Sequence, residues 1–425
     1  MRLNSKGKFF FLIALLFLLI SPVCSVADGS SVLEDNNALQ KDATNLTSYL
    51  RLDVSGHDKM RKKVLDATLD FAEQMYPYER FFAYWDSQMA SPRYLCVQWD
   101  TPPVHVQLWQ MDKSGTILSQ NDVPTEYDTV EELLSETVRV AFVGSKEGMS
   151  IIRLALFSDG VLPEPFVNWQ PTPDHLDYLI IATHPDDDVL FMGGIIPIYG
   201  SEQGYVGTVA YVTSPNRMRI DEARMGAWAM GTIYTPLFLD FQDVGAGEAY
   251  QSLYAYRFLP EAVTLEIVRL LRAYRPLVVF SHDEYGEYSH WQHRIVSASV
   301  VEACKLAADK SFDPFSVAEH GTWEVKKCYL HLYPQNTLVM EINVPLSSRG
   351  GKTALEIAQA SFQRHKSQQT GRHWVQSDED RHPMSHFGMV YGTVEAGDDV
   401  FDNINPALLY SAITAEADHV TKTGQ

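Results

Sequence analysis

Between Leu176 and Gly194 the chain reads LDYLIIATHPDDDVLFMGG, placing one histidine and three aspartates in five residues: His184, Pro185, Asp186, Asp187 and Asp188. A second polar run, SHDEYGEYSHWQH, extends from Ser281 to His293. Each follows an apolar stretch, Leu179–Ile181 or Leu277–Phe280, of the length of a buried strand. His184 and Asp187 are three residues apart, and His293 is the remote third donor. Two imidazoles and one carboxylate suit a catalytic Zn²⁺, one ion per chain, with the fourth position left for water. Such a set leaves the ion net positive, and so a useful Lewis acid. The competing reading is an aspartate at a helix N-terminus with two unrelated surface histidines. The position of both clusters just beyond strand carboxyl ends favours a site, because open α/β sheets bind ligands there. His290 and His293 straddle the start of the following helix at i, i+3, so their side chains can share one side.

The elements that must hold these residues alternate. A helix runs from the first cluster to about Gln203. Val206–Val212 is a strand, and Arg217–Met230 is a helix with Ile220, Ala223, Ala227 and Met230 on one face, stopped by Gly231. Thr235–Phe241 is a strand, followed by a loop from Asp243 to Glu248. Leu253–Tyr274 is mostly helical, kinked or divided at Pro260. Strands alternating with helices indicate a Rossmann-like, mostly parallel sheet flanked by helices. No GxGxxG is present, so dinucleotide binding is not supported. Later, Tyr329–Tyr333 is a strand candidate, Thr353–Gln363 a helix and Phe387–Val394 a final strand.

The preceding half has another texture. Residues 57–75 carry a helical repeat in Met60, Val64, Ala67, Phe71 and Met75. From Tyr94 onward the pattern is period two, in Val104/Val106/Leu108, Val138/Val140/Phe142 and Ile152/Leu154/Leu156, as in antiparallel strands with one wet face. The expected fold class is therefore α/β, preceded by a small β-sandwich-like domain. The expected divisions are 1–27 signal peptide, 28–89 helical or extended segment, 90–170 accessory sandwich, 171–410 catalytic domain and 411–425 polar tail. Trp85, Trp99, Trp109 and Trp169 could form a sugar-stacking surface but are better read as core or interface.

The 425 residues carry a formal net charge of −20, which argues against nucleic acid as a partner. Arg2, Lys6 and Lys8 precede the apolar run Phe9–Ile20, and Ser25-Val26-Ala27 is a small-x-small cleavage site. Export to a secreted or periplasmic location follows, without a stable membrane span after cleavage; a signal-anchored form is the lesser alternative. Cleavage leaves Cys96, Cys304 and Cys328, too few for a disulfide scaffold, and no CxxC exists to hold a metal.

THPDDD at 183–188 together with HDEYGEYSHWQH at 282–293 resembles the PIG-L/LmbE superfamily of zinc-dependent de-N-acetylases. Arg219 with Glu222, and His365-Lys366-Ser367-Gln368, are further matches, so that the resemblance covers about 176–400. It implies zinc on His184, Asp187 and His293, with Asp186 as general base. It also implies His290 beside the tetrahedral oxyanion and as proton donor to the leaving amine, Tyr288 polarising the amide, and Arg219 near the substrate. Without it, Arg219 and Glu222 are equally a helix i, i+3 pair. His365 either lines the substrate mouth or caps a helix. The sequence departs from the family pattern in Asp188 for Glu, Thr183 for Ala, Glu284 for Pro, Ser289 for Gly, and Gln292 where Asp is frequent. The last change is expected to leave His290 less basic. The implied activity is removal of acetyl from an N-acetylated amino sugar or glycoconjugate, a cell-envelope glycan among the candidates. The alternatives are hydrolysis of another small amide or ester, and non-catalytic glycan binding.

Overall fold

The computed structural model describes residues 42–53, 73–75, 80–86, 88, 91–99, 102–125, 128–144, 148–163, 165–214, 216–245, 251–252 and 255–407. The expected signal peptide, most of the helix expected over 57–75 and the tail from 411 lie outside them. The end of that helix differs from expectation: Glu73–Met75 is a strand, paired antiparallel with residues 149–151.

The first half is an antiparallel sandwich. Its strands are β1 (Arg51–Asp53), β2 (Glu73–Met75), β3 (Arg80–Tyr84), β4 (Tyr94–Trp99), β5 (Gln107–Met111), β6 (Ile117–Asp122), β7 (Asp128–Glu132), β8 (Arg139–Val143) and β9 (Met149–Phe157). One sheet has the order β1-β3-β8-β5-β6 and the other β2-β9-β4-β7. The sandwich therefore draws β1, β2 and β3 from the stretch expected to precede it. Trp85, Trp99, Phe81, Phe142, Leu95 and Leu154 fill the space between the sheets. The Asp112 carboxylate accepts from the Ser114 and Thr116 backbone N–H groups and closes the β5–β6 turn. The tryptophans form no common platform: Trp85 and Trp99 are core, Trp109 lies under Arg80, and Trp169 packs edge-on against Trp228.

The second half contains β10 (Tyr178–Ala182), α1 (Asp187–Met192), β11 (Gly207–Thr213), α2 (Arg217–Met230), β12 (Leu237–Phe241), α3 (Pro260–Tyr274), β13 (Val278–Ser281), α4 (Trp291–Leu306), α5 (Pro314–His320), β14 (Lys327–His331), β15 (Thr337–Val339), α6 (Ala354–Phe362) and β16 (His386–Gly392). The sheet order is β12-β11-β10-β13-β14-β16-β15. The first five are parallel, and β16 runs antiparallel to both β14 and β15. β10, β11, β13 and β14 are buried along their whole length without alternation, because helices cover both faces of a parallel sheet. Pro260 opens α3 at its first turn, where its missing N–H costs nothing, instead of kinking a longer helix. A π-helical turn at Ile196–Glu202 follows α1. Asn216 caps α2 through the Arg219 N–H, and Gly231 ends it with φ 114°.

After β10 the chain moves outward to β11 and β12, then returns through α3 to place β13 on the other side of β10. The carboxyl ends of β10 and β13 thus flank the point where the winding reverses, which is where such sheets open a crevice. The two polar clusters meet there. The sandwich meets the α/β half where Arg217 faces Asp128 at 3.6 Å, and the connecting stretch packs Trp169 on Trp228 and donates the Thr172 hydroxyl to the Thr235 carbonyl at 2.7 Å. Cys96, Cys304 and Cys328 are buried free thiols. Among the described residues, no helix is long and apolar enough to cross a membrane.

Candidate metal centre and catalytic groups

β10 delivers His184 and Asp186 in a tight turn, and Asp187 begins α1. Asp186 has φ 136° and ψ −20°, a conformation that costs a non-glycine residue about 1–3 kcal/mol and persists only where surroundings enforce it. Here its carbonyl accepts the first α1 hydrogen bonds, from Val189 and Leu190.

Three donor atoms converge. His184 Nδ1 lies 3.1 Å from Asp187 Oδ2 and 3.1 Å from His293 Nε2, and the last two are 3.2 Å apart. Ligands at zinc bond lengths on a tetrahedron stand about 3.3 Å from one another, so the triangle fits one such ion. His290 and His282 also lie within reach of an ion held by this cluster. Their hydrogen bonds give them other work. His282 Nε2 accepts the Thr183 N–H at 2.8 Å, and His290 Nδ1 accepts the Gln292 N–H at 3.3 Å.

The surrounding charge is arranged for a cation. Burial disfavours charge on His293, yet Asp187 and Glu287 on its two sides push it up to about 10. Burial likewise opposes ionisation of Asp187, but His293 and His184 reverse this and hold its carboxyl well below the usual range. Asp186 is different. Burial, then the neighbouring Asp187, raises it well above an ordinary carboxyl, with Arg219 opposing. Two adjacent carboxyls driven apart in this way divide into an ionised ligand and a proton acceptor. Asp188 is fully buried, and its burial carries it up to about 7 against the opposing Tyr211 hydroxyl.

His290 is pushed down to about 2 by burial, then by the imidazoles of His293 and His184. With Nδ1 accepting, the neutral ring carries its proton on Nε2, the state of a hydrogen-bond donor. Gln292 does not act on His290 through its side chain. Its Oε1 accepts from His184 Nε2 at 3.1 Å and from the Val244 N–H at 3.0 Å, while its Nε2 donates to the Gln242 carbonyl at 2.9 Å. The carboxamide therefore fixes the ring of the ligand His184, and the expected loss of basicity at His290 does not come from this contact.

Arg219 faces inward. Nη2 donates to the Pro185 carbonyl at 2.8 Å and to Asp186 Oδ1 at 3.1 Å, and Nη1 donates to Asp243. It holds the Asp186 carboxyl in place. Glu222 is not its ion-pair partner: both of its oxygens accept from Ser367, from the backbone N–H at 2.8 Å and the hydroxyl at 2.5 Å. Neighbouring His365 is fully buried, stacked on Phe362 and seated against Gly226, where a Cβ would come within 2.4 Å of its Nε2. Tyr288 is 45% exposed at φ 55°, its ring 5.6 Å from Phe191, 4.9 Å from His382 and 6.5 Å from His373. Burial raises its hydroxyl to about 12, so it remains a donor.

The sequence reading passed over Asp243, Glu287, His331, His373 and His382. Asp243 and Glu287 stand in stretches already singled out, but their partners come from other elements. His331 carries one signal, its place at the carboxyl end of β14. No spacing points to the two later histidines.

Residues 179–304 match the family model described as GlcNAc-PI de-N-acetylase, PIG-L. A 1D-myo-inositol 2-acetamido-2-deoxy-alpha-D-glucopyranoside deacetylase of Segniliparus rotundus is 39% identical over 182 residues, covering 36% of this chain and 56% of that protein. Another, from Catenulispora acidiphila, is 28% identical over 189 residues, covering 38% of this chain and 57% of the relative. The chain thus spans little more than half the length of these relatives. Among solved structures, N,N'-diacetylchitobiose deacetylase from Pyrococcus horikoshii aligns with 46% of this chain and 70% of its own at 19% identity, with a TM-score of 0.35.

Proposed function

From the membership of its α/β domain in the PIG-L/LmbE-like de-N-acetylase superfamily, we propose that this chain is a zinc-dependent hydrolase that removes acetyl from an N-acetylated amino sugar or glycoconjugate. The observation that carries the reading is the donor triangle of His184, Asp187 and His293 with Asp186, pinned by Arg219, next to it. An acetamide is a resonance-stabilised amide; its hydrolysis needs an activated water, a counter-charge for the carbonyl oxygen and a proton for the leaving nitrogen. His184, Asp187 and His293 would hold the zinc, which would supply Lewis acidity toward the carbonyl and the attacking water. The protein supplies the rest. Asp186, aimed by Arg219, takes the proton of the water. His290 Nε2–H donates to the oxygen as it gains negative charge, and Tyr288 offers a second donor from the rim. The proton on Asp186 then passes to the amine nitrogen as the C–N bond breaks, giving acetate and free amine.

The test is acetate release from a panel of N-acetylated sugars by the zinc-loaded full chain and by Asp186→Ala. Release by the wild type alone is expected; equal release by both contradicts the assigned base. Export belongs to the same proposal, supported by the run from Arg2 to Ala27. Amino-terminal sequencing of the protein made in a secreting host should begin just after Ala27, and an intact Met1 would overturn cleavage.

A further inference from the structure

Glu287 is fully buried, and every donor around it is accounted for. Oε2 accepts from His282 Nδ1 and His293 Nδ1, each at 2.8 Å. Oε1 accepts from His331 Nδ1 at 2.7 Å and from the Asp283 N–H at 3.1 Å. We propose that Glu287 is the positioning residue of the metal centre, fixing the proton of His293 on Nδ1 so that its Nε2 lone pair points into the donor triangle.

A neutral imidazole carries one proton, and the nitrogen that loses it is the one that binds a metal. His293 has two faces here: Nδ1 toward Glu287 and Nε2 toward Asp187 and His184. With the Nδ1–H held by a carboxylate, the other nitrogen has no choice but to present its lone pair. Were the proton on Nε2, an N–H would occupy the triangle. The hydrogen bond also fixes the ring plane, which stacks against His290 with centroids 4.5 Å apart.

The acid is held from outside the motif region. His331, at the end of β14, donates to Glu287 through Nδ1, and its Nε2 lies 3.1 Å from the Pro383 carbonyl, also an acceptor. Four donors on two oxygens fill the carboxylate. A carboxamide of the same shape is a poor substitute: its NH₂ would meet either the Nδ1–H groups of His282 and His293 or the Asp283 backbone N–H.

The inference rests on the metal reading above, and its test separates the two. Zinc affinity of the full chain is measured by competition with a chromogenic chelator for wild type, Glu287→Gln and Asp186→Asn. Glu287→Gln is expected to weaken zinc binding by about 10- to 100-fold, as loss of an outer partner of a ligating histidine does elsewhere, while Asp186→Asn binds as wild type. Wild-type protein that binds no zinc overturns the metal reading. Wild-type binding with unchanged Glu287→Gln affinity overturns the role of Glu287 alone. A measurement on wild type covers a variant that fails to fold. In the histidine ¹⁵N spectrum of the zinc-loaded chain, His293 should carry its proton on Nδ1 at a strongly downfield shift; a proton on Nε2 overturns the proposal.

Discussion

At the scale of single residues, the site separates binding an ion from moving a proton by giving adjacent carboxyls opposite surroundings. Asp187 lies among imidazoles, whereas Asp186 lies in a buried turn with one guanidinium. Asp186→Asn should therefore lower acetate release by about 10²- to 10⁴-fold with zinc stoichiometry unchanged in the purified protein. Gln292→Leu removes the acceptor of His184 Nε2–H and should weaken zinc binding by about 10-fold or more, measured by chelator competition. The convergence of His184, Asp187 and His293 was legible because HxxD and HxxH spacing is local and each motif follows an apolar run. The roles of Gln292 and Arg219 were not legible: each is set by a contact across more than thirty residues, to His184 or Asp186. A side chain's partner on another strand leaves no period in the sequence.

At the scale of elements, α2 and the segment after α6 are locked by absence of a side chain. Gly226 leaves room for His365, and the Ser361 hydroxyl donates to the Gly226 carbonyl at 2.8 Å. Gly226→Ala would drive its methyl into a packed imidazole, and overpacking of this kind costs about 1–3 kcal/mol; thermal unfolding should show a lower Tm. The sandwich has its own weak point. Glu131 on β7 is buried, and that burial raises its carboxyl to about 7. The folded state thus holds this proton more tightly than the unfolded chain, whose carboxyl lies near 4.5. Stability from this group is complete below about pH 4.5 and is lost as pH rises through about 7. Tm should fall across that window, and Glu131→Gln should flatten the fall, a difference of order 1–3 kcal/mol. An unchanged pH slope in the variant would exclude Glu131 as its source. The sandwich itself was readable where strands alternate, as at Val138/Val140/Phe142. β2 lay hidden within a helical repeat, and β6 is too exposed to show a buried face.

At the scale of the whole molecule, every donor of the candidate metal cluster comes from the α/β half. Zinc in excess should raise the unfolding temperature of the α/β domain, by about 2.7 kcal/mol of added stability at 100 times Kd. The transition of the sandwich should stay where it is in a calorimetric scan. If both transitions move together, the domains unfold as one cooperative unit. The seam has a mechanism for that coupling. Arg217 lies 3.3 Å from Asp221 and 3.6 Å from Asp128 of β7, two residues before the Arg219 that holds the base. The parallel layering and its reversal point were recoverable from alternating strand and helix patterns, but this seam was not, since nothing in either surface's sequence names the other.

The donors of the triangle are separated by a long stretch of chain: His184 and His293 stand 109 residues apart. They become neighbours only when β13 pairs beside β10, after β11, α2, β12 and α3 have been laid down. An incomplete sheet consequently has no ion site, and zinc cannot nucleate this fold as it does in small zinc domains that are unfolded without metal. During refolding from denaturant, zinc uptake followed with a fluorescent indicator should lag behind the growth of helical circular dichroism. Uptake that preceded it would mean that an earlier, non-native grouping of histidines captures the ion first.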